Sequence, residues 1–166
     1  MIRAILHADE KWGIGKNNGL MFSIPKDMKF FRETTNGKTV VMGGNTLRSF
    51  PNGNPLKNRV NIVLSRSLRR DDCVIVSDYE ALKEEMKARQ NEDIYIIGGG
   101  SVYAALLPYC EEILVTKVNA DGGADVFFPN LDEDGNFAVK SESEEIEDNG
   151  YSIKFVTYQN LAVQPL

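Results

Sequence analysis

The chain has 166 residues, of which 42% are hydrophobic and 26% charged, as in a typical globular domain. Its 19 basic and 24 acidic residues give a net charge of −5, which argues against nucleic acid or an anionic membrane as a partner. One histidine and two cysteines exclude a His/Cys metal cluster and a disulfide framework. No apolar run suits a signal peptide or a membrane span, so we expect a cytoplasmic protein without a metal ion.

Short apolar runs rich in β-branched residues predict a series of strands. They cover residues 2–8, 38–42, 59–65, 73–77, 93–98 and 112–118. Helical patterns fall between these runs, at residues 25–35, 45–50, 79–89 and 100–107. Asp78 is a suitable N-cap for the third of these helices. Strands that alternate with helices in this way indicate an α/β protein with a mostly parallel sheet.

The C-terminal region has a different pattern. The segment "NFAVKSESEEIEDNGYSIKFVTYQ" predicts two strands joined at Asn149-Gly150, a dipeptide favoured in tight antiparallel turns. The acidic run from Glu142 to Asp148 suits the solvated part of that hairpin. We therefore predict one α/β domain over residues 1–166, with a predominantly parallel central sheet flanked by helices and a C-terminal antiparallel hairpin.

Two glycine-rich junctions connect predicted strands to helices. They are "VVMGGNTLRSF" at 40–50 and "IYIIGGGSVYAALL" at 94–107. Ligands of parallel sheets bind outside the carboxyl ends of the strands, where helix N-termini attract anions. Each junction alone is better explained as a tight connection. The two together support an extended phosphate-bearing ligand, such as a dinucleotide, as well as they support two tight connections. Ser65 and Arg66 also follow a strand and suit a terminal phosphate, whereas we interpret Arg69 and Arg70 as solvated loop charges.

Asp27 lies in the first turn of the predicted helix 25–35, beside Met28 and Phe31. The exposed N–H groups of a helix start favour a negative charge by about 0.3–1 kcal/mol, which is one explanation for a carboxylate there. The other is that Asp27 is a half-buried anion that awaits a cationic or amidine-like ligand. Arg59, at the start of a strand, either binds a ligand carboxylate or lies in solvent.

The loop "DEKWGIGKNNGLMF" at 9–22 is long and carries several large apolar residues. Ordinary connections are shorter and more polar. Such a loop either closes over a site and excludes water or packs permanently on the core.

Taken in order, these segments resemble the dihydrofolate reductase family. The resemblance rests on "WGIGKNN", "IPKDMKFFRETT", "GKTVVMG", "PLKNRVNIVLSR", "IIGGGSVYAALLP", "VTKVNAD" and "DVFFP", at the family's spacing over nearly the whole chain. It implies NADPH-dependent reduction of 7,8-dihydrofolate to tetrahydrofolate within one-carbon metabolism, with a hydride moving to C6 and a proton to N5. It also implies dihydrofolate, NADPH and antifolate inhibitors as ligands, and we expect a monomer.

The resemblance implies that Asp27 is the family's single acidic catalytic residue, whose two oxygens pair with N3 and the 2-amino group of the pterin. Thr116 matches the threonine that hydrogen-bonds this carboxylate, and Arg59 matches the arginine that binds the glutamate α-carboxylate of folate. The remaining substrate-binding positions form apolar walls or supply strand carbonyls and a hydroxyl: Ile5, Phe22, Met28, Phe31, Phe50, Leu56, Ile97 and Tyr103.

The cofactor-binding positions implied by the resemblance lie on the two glycine-rich junctions, the strand 2–8, the segment 64–66 and the loop 9–22. They are His7, Ile14, Gly15, Leu20, Gly43, Gly44, Asn45, Thr46, Leu64, Ser65, Arg66, Ile97, Gly98, Gly99, Gly100, Ser101, Val102 and Tyr103. The family also implies a cis peptide at Gly98-Gly99.

Three residues depart from the family pattern. Gly44 replaces an arginine that assists the cofactor 2′-phosphate, so we predict weaker discrimination of NADPH over NADH unless Arg66 holds that phosphate alone. Phe22 replaces a tryptophan and cannot donate a hydrogen bond to water. His7 replaces a small residue; it is either a buried neutral histidine with a hydrogen-bond partner or a site residue whose charge changes near neutral pH.

Two other functions fit parts of the pattern. One is a reductase of the same fold that acts on a pyrimidine or another pterin, as in riboflavin biosynthesis; Arg59 argues against it because the glutamate tail of folate is its obvious partner. The other is a non-catalytic nucleotide- or pterin-binding protein; Asp27 and both glycine-rich junctions are intact, which argues against an inactive chain.

Overall fold

The computed structural model describes residues 1–166. The strands are β1 Ile2–Ala8, β2 Gly13–Gly15, β3 Thr39–Gly43, β4 Val60–Leu64, β5 Val74–Val76, β6 Ile94–Gly98, β7 Glu112–Val118, β8 Val126–Phe127, β9 Phe137–Glu142, β10 Ile146–Asp148 and β11 Tyr151–Asn160. The α-helices are α1 Pro25–Thr35, α2 Gly44–Ser49, α3 Tyr79–Lys87 and α4 Gly100–Leu106. These elements confirm every predicted strand and helix between residues 2 and 118, with ends shifted by two residues at most. The Asp78 side chain caps α3 by accepting a 2.7 Å hydrogen bond from the N–H of Ala81, as predicted.

The strands form one nine-stranded sheet in the order β10-β11-β7-β1-β6-β3-β4-β5, in which β9 also pairs with β11. Neighbouring strands in the part of this order that runs from β7 to β5 are all parallel, and β11 runs antiparallel to β7. This confirms the predicted parallel sheet with an antiparallel C-terminal end. A separate two-stranded sheet joins β2 to β8, so the loop after β1 is attached to the segment after β7.

The C-terminal hairpin forms at the predicted turn, where Asn149 and Gly150 have φ values of 51° and 82°. The strand before the turn is split into β9 and β10, which differs from the single strand that we predicted. Ser143 lies in the gap, and its hydroxyl accepts a 2.9 Å hydrogen bond from the N–H of Phe155. The side chain thus replaces a carbonyl partner in the ladder, which interrupts the strand without losing that bond.

Helices cover both faces of the sheet, which explains why its strands are apolar on both sides. Residues Ala4 and Leu6 of β1 face a core formed with α3 and α4. Ile5 faces the other core, formed with α1 and α2, and His7 follows two residues later on the same face. The side chain of His7 is therefore directed toward α1. The longest helix, α1, has 11 residues, and none of the helices is both long and apolar enough to cross a bilayer.

Candidate functional site

The carboxylate of Asp27 lies at the start of α1 but does not cap it. The N-cap residue is Ile24, no side chain caps the helix there, and Pro25 occupies the first helical position. The Asp27 side chain is 17% exposed, and its one hydrogen bond joins Oδ2 to Nδ1 of His7 at 3.1 Å. This half-buried anion fits the ligand interpretation, because most of its hydrogen-bonding capacity is unused.

His7 is the partner of Asp27, a relationship that the sequence analysis did not predict. Its side chain is 4% exposed, and its ring contacts the edge of Phe22 with 5.6 Å between centroids. Nε2 is buried and has no hydrogen-bond partner. The expectation of a buried histidine with one partner is thus correct, but the partner is the site carboxylate. The His7 side chain lies on the substrate side of the predicted site, and the cofactor contact that we assigned to this residue stays a prediction.

Thr116 lies beside His7 but does not bond to Asp27. The two residues are in register on β7 and β1, and Thr116 is 1% exposed. We expected its hydroxyl to hydrogen-bond the carboxylate, but the one hydrogen bond of the Asp27 side chain is with His7. The catalytic role of Thr116 stays a prediction.

Aromatic and aliphatic side chains line the sheet face next to Asp27. Phe31, Phe50 and Leu56 are partly buried against the core that contains Ile5. Met28 and Leu20 are 51% and 69% exposed, which leaves both side chains accessible to a ligand. The predicted apolar walls are therefore present on this face of the sheet.

Tyr103 connects the carboxylate region to the second glycine-rich junction. Its hydroxyl is buried and donates a 2.7 Å hydrogen bond to the carbonyl oxygen of Ile5. Burial raises the pKa of Tyr103, and the negative charges of Cys110 and Asp27 raise it further. Tyr103 therefore stays a neutral donor, close enough to Asp27 to be influenced by its charge. Ile97 precedes the junction on β6 and is also partly buried against the Ile5 core.

Arg59 is held at the far end of α1. Its Nε donates to the carbonyl oxygen of Lys57 at 2.9 Å, and Nη1 donates to Oγ1 of Thr35, the last residue of α1, at 3.1 Å. Partial burial lowers the pKa of Arg59, and the nearby positive charge of Arg32 lowers it further. Two guanidinium groups without a carboxylate partner thus create a site that favours an anion.

The ion pairs separate the arginines into two groups. Arg3, Arg70 and Arg89 form ion pairs with carboxylates. The other arginines form none, and they are Arg32, Arg48, Arg59, Arg66 and Arg69. Three of these five, Arg32, Arg48 and Arg69, were absent from the predicted site residues or interpreted as solvated, whereas Arg59 and Arg66 were predicted. The feature that identifies the other three is the missing acidic neighbour, which only the fold reveals.

The two glycine-rich junctions touch each other. A Cβ at Gly98 would lie 3.2 Å from Oγ1 of Thr46, and one at Gly43 would lie 3.3 Å from Cγ2 of Val102. Gly98 also has a φ of 134°, which favours glycine, and the Gly98-Gly99 peptide is cis, as predicted. The N-termini of α2 and α4 therefore meet at the carboxyl edge of β3 and β6, where exposed N–H groups favour an anion.

The remaining predicted cofactor residues surround these junctions. Leu64 is in register with Gly43, and the side-chain and main-chain oxygens of Asn45 accept hydrogen bonds from Arg48 and Asn18. Ser101 accepts a 3.3 Å hydrogen bond at its carbonyl from Tyr79. A Cβ at Gly100 would collide with Val126, which places β8 over the start of α4.

An open cleft of about 740 Å³ lies beyond the first junction. It is lined by Ser65, Arg66, Leu68, Arg69, Arg70, Asp71, Ile75 and Ser77. Our interpretation of Arg70 as a solvated charge is wrong, because its guanidinium pairs with Asp72 at 2.7 Å and donates to the carbonyl of Gly53 at 2.6 Å. Arg66 and Arg69 provide unpaired positive charge in this cleft.

Gly44 has an arginine next to it from another position. A Cβ built on Gly44 would lie 3.4 Å from Nη1 of Arg48 and 3.6 Å from Cδ1 of Leu68. Leu68 lines the open cleft, so the guanidinium of Arg48 lies at its border. Arg48 was not among the predicted site residues, because the direction of its side chain depends on how α2 packs against the sheet.

The loop 9–22 combines both predicted behaviours. Trp12 is buried and stacks on Phe128, and the carbonyl of Gly15 accepts a 3.0 Å hydrogen bond from the N–H of Asp125. Ile14 packs against the same core, whereas Leu20 is largely exposed. The first half of the loop is thus fixed on the core, residues 16–20 are exposed, and Phe22 at its end is buried again.

Asp9 organises this loop and was missed by the sequence analysis. It is 5% exposed; Oδ1 accepts hydrogen bonds from the N–H groups of Lys11 at 2.9 Å and Gly13 at 2.7 Å. Oδ2 accepts a 3.0 Å hydrogen bond from the N–H of Gly122. One carboxylate therefore ties the start of the loop 9–22 to the segment after β7.

These features define an α/β protein with a slot for a planar ring beside a cradle for a phosphate-bearing group. A family model described as dihydrofolate reductase matches residues 1–160. The chain belongs to the dihydrofolate reductase family.

Individual relatives agree with the family assignment. The chain is 33% identical to the dihydrofolate reductase of Bacillus subtilis over 96% of its own length and 94% of the relative's. It is 34% identical to that of Haemophilus influenzae, over 86% and 88% of the two chains. A solved dihydrofolate reductase from Enterococcus faecalis, complexed with NADP(H) and RAB-propyl, superposes with a TM-score of 0.81 at 28% identity and covers 96% of each chain.

Proposed function

We propose that the protein catalyses the NADPH-dependent reduction of 7,8-dihydrofolate to 5,6,7,8-tetrahydrofolate. One observation carries this proposal: a carboxylate with unused hydrogen-bonding capacity and a guanidinium without a carboxylate partner lie at opposite ends of α1. Asp27 lies in the first turn, and Arg59 is hydrogen-bonded to Thr35 in the last. Eight residues of helix separate these positions by about 12 Å along the axis. The separation suits a ligand with a cationic or amidine-bearing ring at one end and a carboxylate at the other, as in a folate.

The chain's own groups define how such a substrate is oriented. The Asp27 oxygens accept N–H bonds from N3 and the 2-amino group of the pterin, which fixes the plane of the ring. Phe31 lies one helical turn from Asp27 and therefore supplies a wall beside that plane. The guanidinium of Arg59 offers a planar fork of donors to the glutamate α-carboxylate.

The cofactor residues fit a nucleotide with phosphates. Thr46 lies so close to Gly98 that a side chain at position 98 would fill the space between the two junctions. The N-termini of α2 and α4 both point toward this space. The bound NADPH supplies the hydride for C6 of the substrate. Gly43, Thr46 and Gly98 would hold its pyrophosphate, and Ser65 and Arg66 would hold the adenosine phosphate in the open cleft.

Asp27 favours the protonated ring by its charge and need not transfer a proton itself. Phe22 closes the wall next to His7 but has no donor, so it does not orient the water that carries the proton to N5. Tyr103 holds its proton in the bond to Ile5 and acts as a fixed support.

The preference for NADPH or NADH depends on Gly44 and Arg48. The missing side chain at Gly44 predicts weaker selection of the 2′-phosphate, but the Arg48 guanidinium occupies the adjacent space and has no carboxylate partner. We therefore infer that NADPH remains the preferred cofactor, with Arg48 and Arg66 sharing the 2′-phosphate and NADH as a weaker alternative.

Four further properties are proposals on the same basis. The residues 1–166 act as a single dihydrofolate reductase domain, the protein works as a monomer, and it is located in the cytoplasm. Antifolates with an amidine-bearing ring bind the same carboxylate as the substrate, because they present equivalent donors to Asp27.

The test follows the absorbance of NADPH with dihydrofolate, for wild type and for Asp27→Asn. We expect wild type to oxidise NADPH and Asp27→Asn to lower the rate by roughly 10²–10⁴-fold, as for removal of a group that assists proton transfer. Glu33→Gln, on the exposed side of the same helix, is the matched control and should match wild type. Oxidation with a pyrimidine but not dihydrofolate would support the related reductase, and binding without oxidation would support a non-catalytic protein; both results would contradict the proposal.

A further inference from the structure

His7 is placed so that it can act only through Asp27. Its ring is 4% exposed, and Nδ1 lies 3.1 Å from Oδ2 of Asp27. An ionised carboxylate has no proton to donate, so the hydrogen bond requires a proton on Nδ1 of the imidazole. The ring is then fixed in one tautomer by the carboxylate, and the carboxylate is fixed by the ring.

The other ring nitrogen of His7, Nε2, is buried and has no hydrogen-bond partner. A neutral ring with its proton on Nδ1 leaves Nε2 as an acceptor without a donor, and an imidazolium leaves it as a donor without an acceptor. Buried polar groups are nearly always paired, so an orphan next to a candidate catalytic carboxylate indicates a group that is satisfied when ligand or water enters the site.

No other charged side chain competes for the ring. Asp27 approaches from α1, β7 contributes the neutral Thr116 in register with His7, and the end of the loop 9–22 contributes Phe22. Two tyrosines lie nearby: Tyr151 packs on Phe22, and the hydroxyl of Tyr103, which stays neutral, donates a hydrogen bond to the carbonyl oxygen of Ile5. The charge of the site is therefore set by His7 and Asp27 together.

We propose that the anion which binds the substrate ring is a His7–Asp27 pair, in which His7 is a positioning residue that orients the carboxylate and sets its effective charge. With a neutral imidazole the pair carries a net charge of −1 and attracts a protonated ring. With an imidazolium the pair is neutral overall, and its attraction for a protonated ring weakens. The proposal rests on the proposed function, because it takes Asp27 as the group that binds the substrate.

One experiment measures the pair without any activity. His7 is the only histidine of the chain, so its imidazole ¹⁵N signals need no assignment. We expect wild type to give the signals of a hydrogen-bonded Nδ1–H at neutral pH and expect Asp27→Asn to change them. Identical His7 signals in wild type and Asp27→Asn would overturn the pair, whether or not the protein reduces dihydrofolate.

A second experiment measures its effect on the reaction, with two variants that separate hydrogen bonding from packing. His7→Asn keeps an N–H donor near the position of Nδ1 but cannot titrate, whereas His7→Phe keeps a ring against Phe22 but has no donor. We expect His7→Phe to lower kcat/KM by roughly tenfold or more, as for loss of a hydrogen bond to a charged group, and His7→Asn to recover most of that loss. The opposite order would mean that His7 serves only packing.

The pH profile completes the test. We expect the pH dependence of log kcat/KM to differ between wild type and His7→Asn, because only wild type has an ionisable side chain at position 7. Equal profiles for wild type and His7→Asn would contradict the proposal even though NADPH oxidation is intact. Absence of NADPH oxidation by wild type would instead refute the proposed function, and the ¹⁵N measurement would still decide whether the pair exists.

Discussion

The guanidinium of Arg48 lies beside the bare Cα of Gly44, with Nη1 3.4 Å from the point where a Cβ would be. Nη2 donates a 2.5 Å hydrogen bond to Oδ1 of Asn45, which holds the side chain back along α2 toward the junction. The arginine that the family has at position 44 is missing here, but the guanidinium of Arg48 occupies the same space.

This relationship predicts the effect of Arg48→Gln on cofactor choice. Loss of one charged hydrogen bond to the 2′-phosphate corresponds to about 1.5–3 kcal/mol, or at least tenfold in the ratio of kcat/KM for NADPH over NADH. Affinity for adenosine 2′,5′-bisphosphate, measured by calorimetry, should fall by the same factor, and affinity for adenosine 5′-monophosphate should not. Arg89→Gln is the control, because Arg89 pairs with Glu85 at 3.0 Å away from the cleft. An unchanged cofactor ratio in Arg48→Gln would show that Arg66 binds the phosphate alone.

Arg59→Gln tests the other end of α1. The guanidinium has no carboxylate partner in the protein, and burial and Arg32 lower its pKa without removing its charge at neutral pH. We expect the variant to raise KM for dihydrofolate by at least tenfold with little change in kcat, since the contact is remote from the reacting atoms. A pterin substrate without the glutamate tail provides the control and should be used equally by both proteins. A loss confined to kcat would place Arg59 outside the substrate site.

The secondary structure was predictable because it depends on local patterns. The apolar runs that become β3, β4 and β6 are bounded by polar or glycine residues, and the Asn149-Gly150 turn is encoded by two adjacent residues. The break at Ser143 was not predictable, because it depends on a hydroxyl that meets Phe155 on the neighbouring strand.

The site was predictable only in part, for a related reason. Asp27 and Arg59 stand out through the family resemblance, which records positions rather than contacts. The bond between His7 and Asp27 joins residues 20 positions apart, and it forms because α1 packs on the same face of β1 as His7. A residue that departs from the family pattern therefore supplies the one hydrogen bond of a residue that follows the pattern.

Asp9→Asn is expected to weaken the anchor of the loop 9–22. An amide can keep both bonds of Oδ1, but its NH₂ group would face the N–H of Gly122 and leave that donor unpaired. An unsatisfied buried donor costs about 1–3 kcal/mol, and Tm should fall by several degrees. Thermal unfolding of Asp121→Asn is the control, since Asp121 and Lys11 form an exposed ion pair, which contributes little to stability. Equal Tm values for Asp9→Asn and wild type would show that the loop is not anchored by this carboxylate.

Glu112 gives the fold a defined dependence on pH. The hydrogen bond from Arg3, at 2.8 Å, and a second from Lys140 hold the pKa of this carboxyl below its usual value of 4.5, against the opposing effect of burial. Because the folded pKa is lower than the unfolded one, the stabilisation is complete above pH 4.5 and is lost as pH falls through the folded value. Urea unfolding of Glu112→Gln should therefore give a free energy of unfolding about 1.5–3 kcal/mol below that of wild type at neutral pH, with the gap closing in acid. Glu144→Gln, at an exposed position, should match wild type throughout. A gap for Glu112→Gln that stays constant across this pH range would mean that packing, not charge, is what the substitution removes.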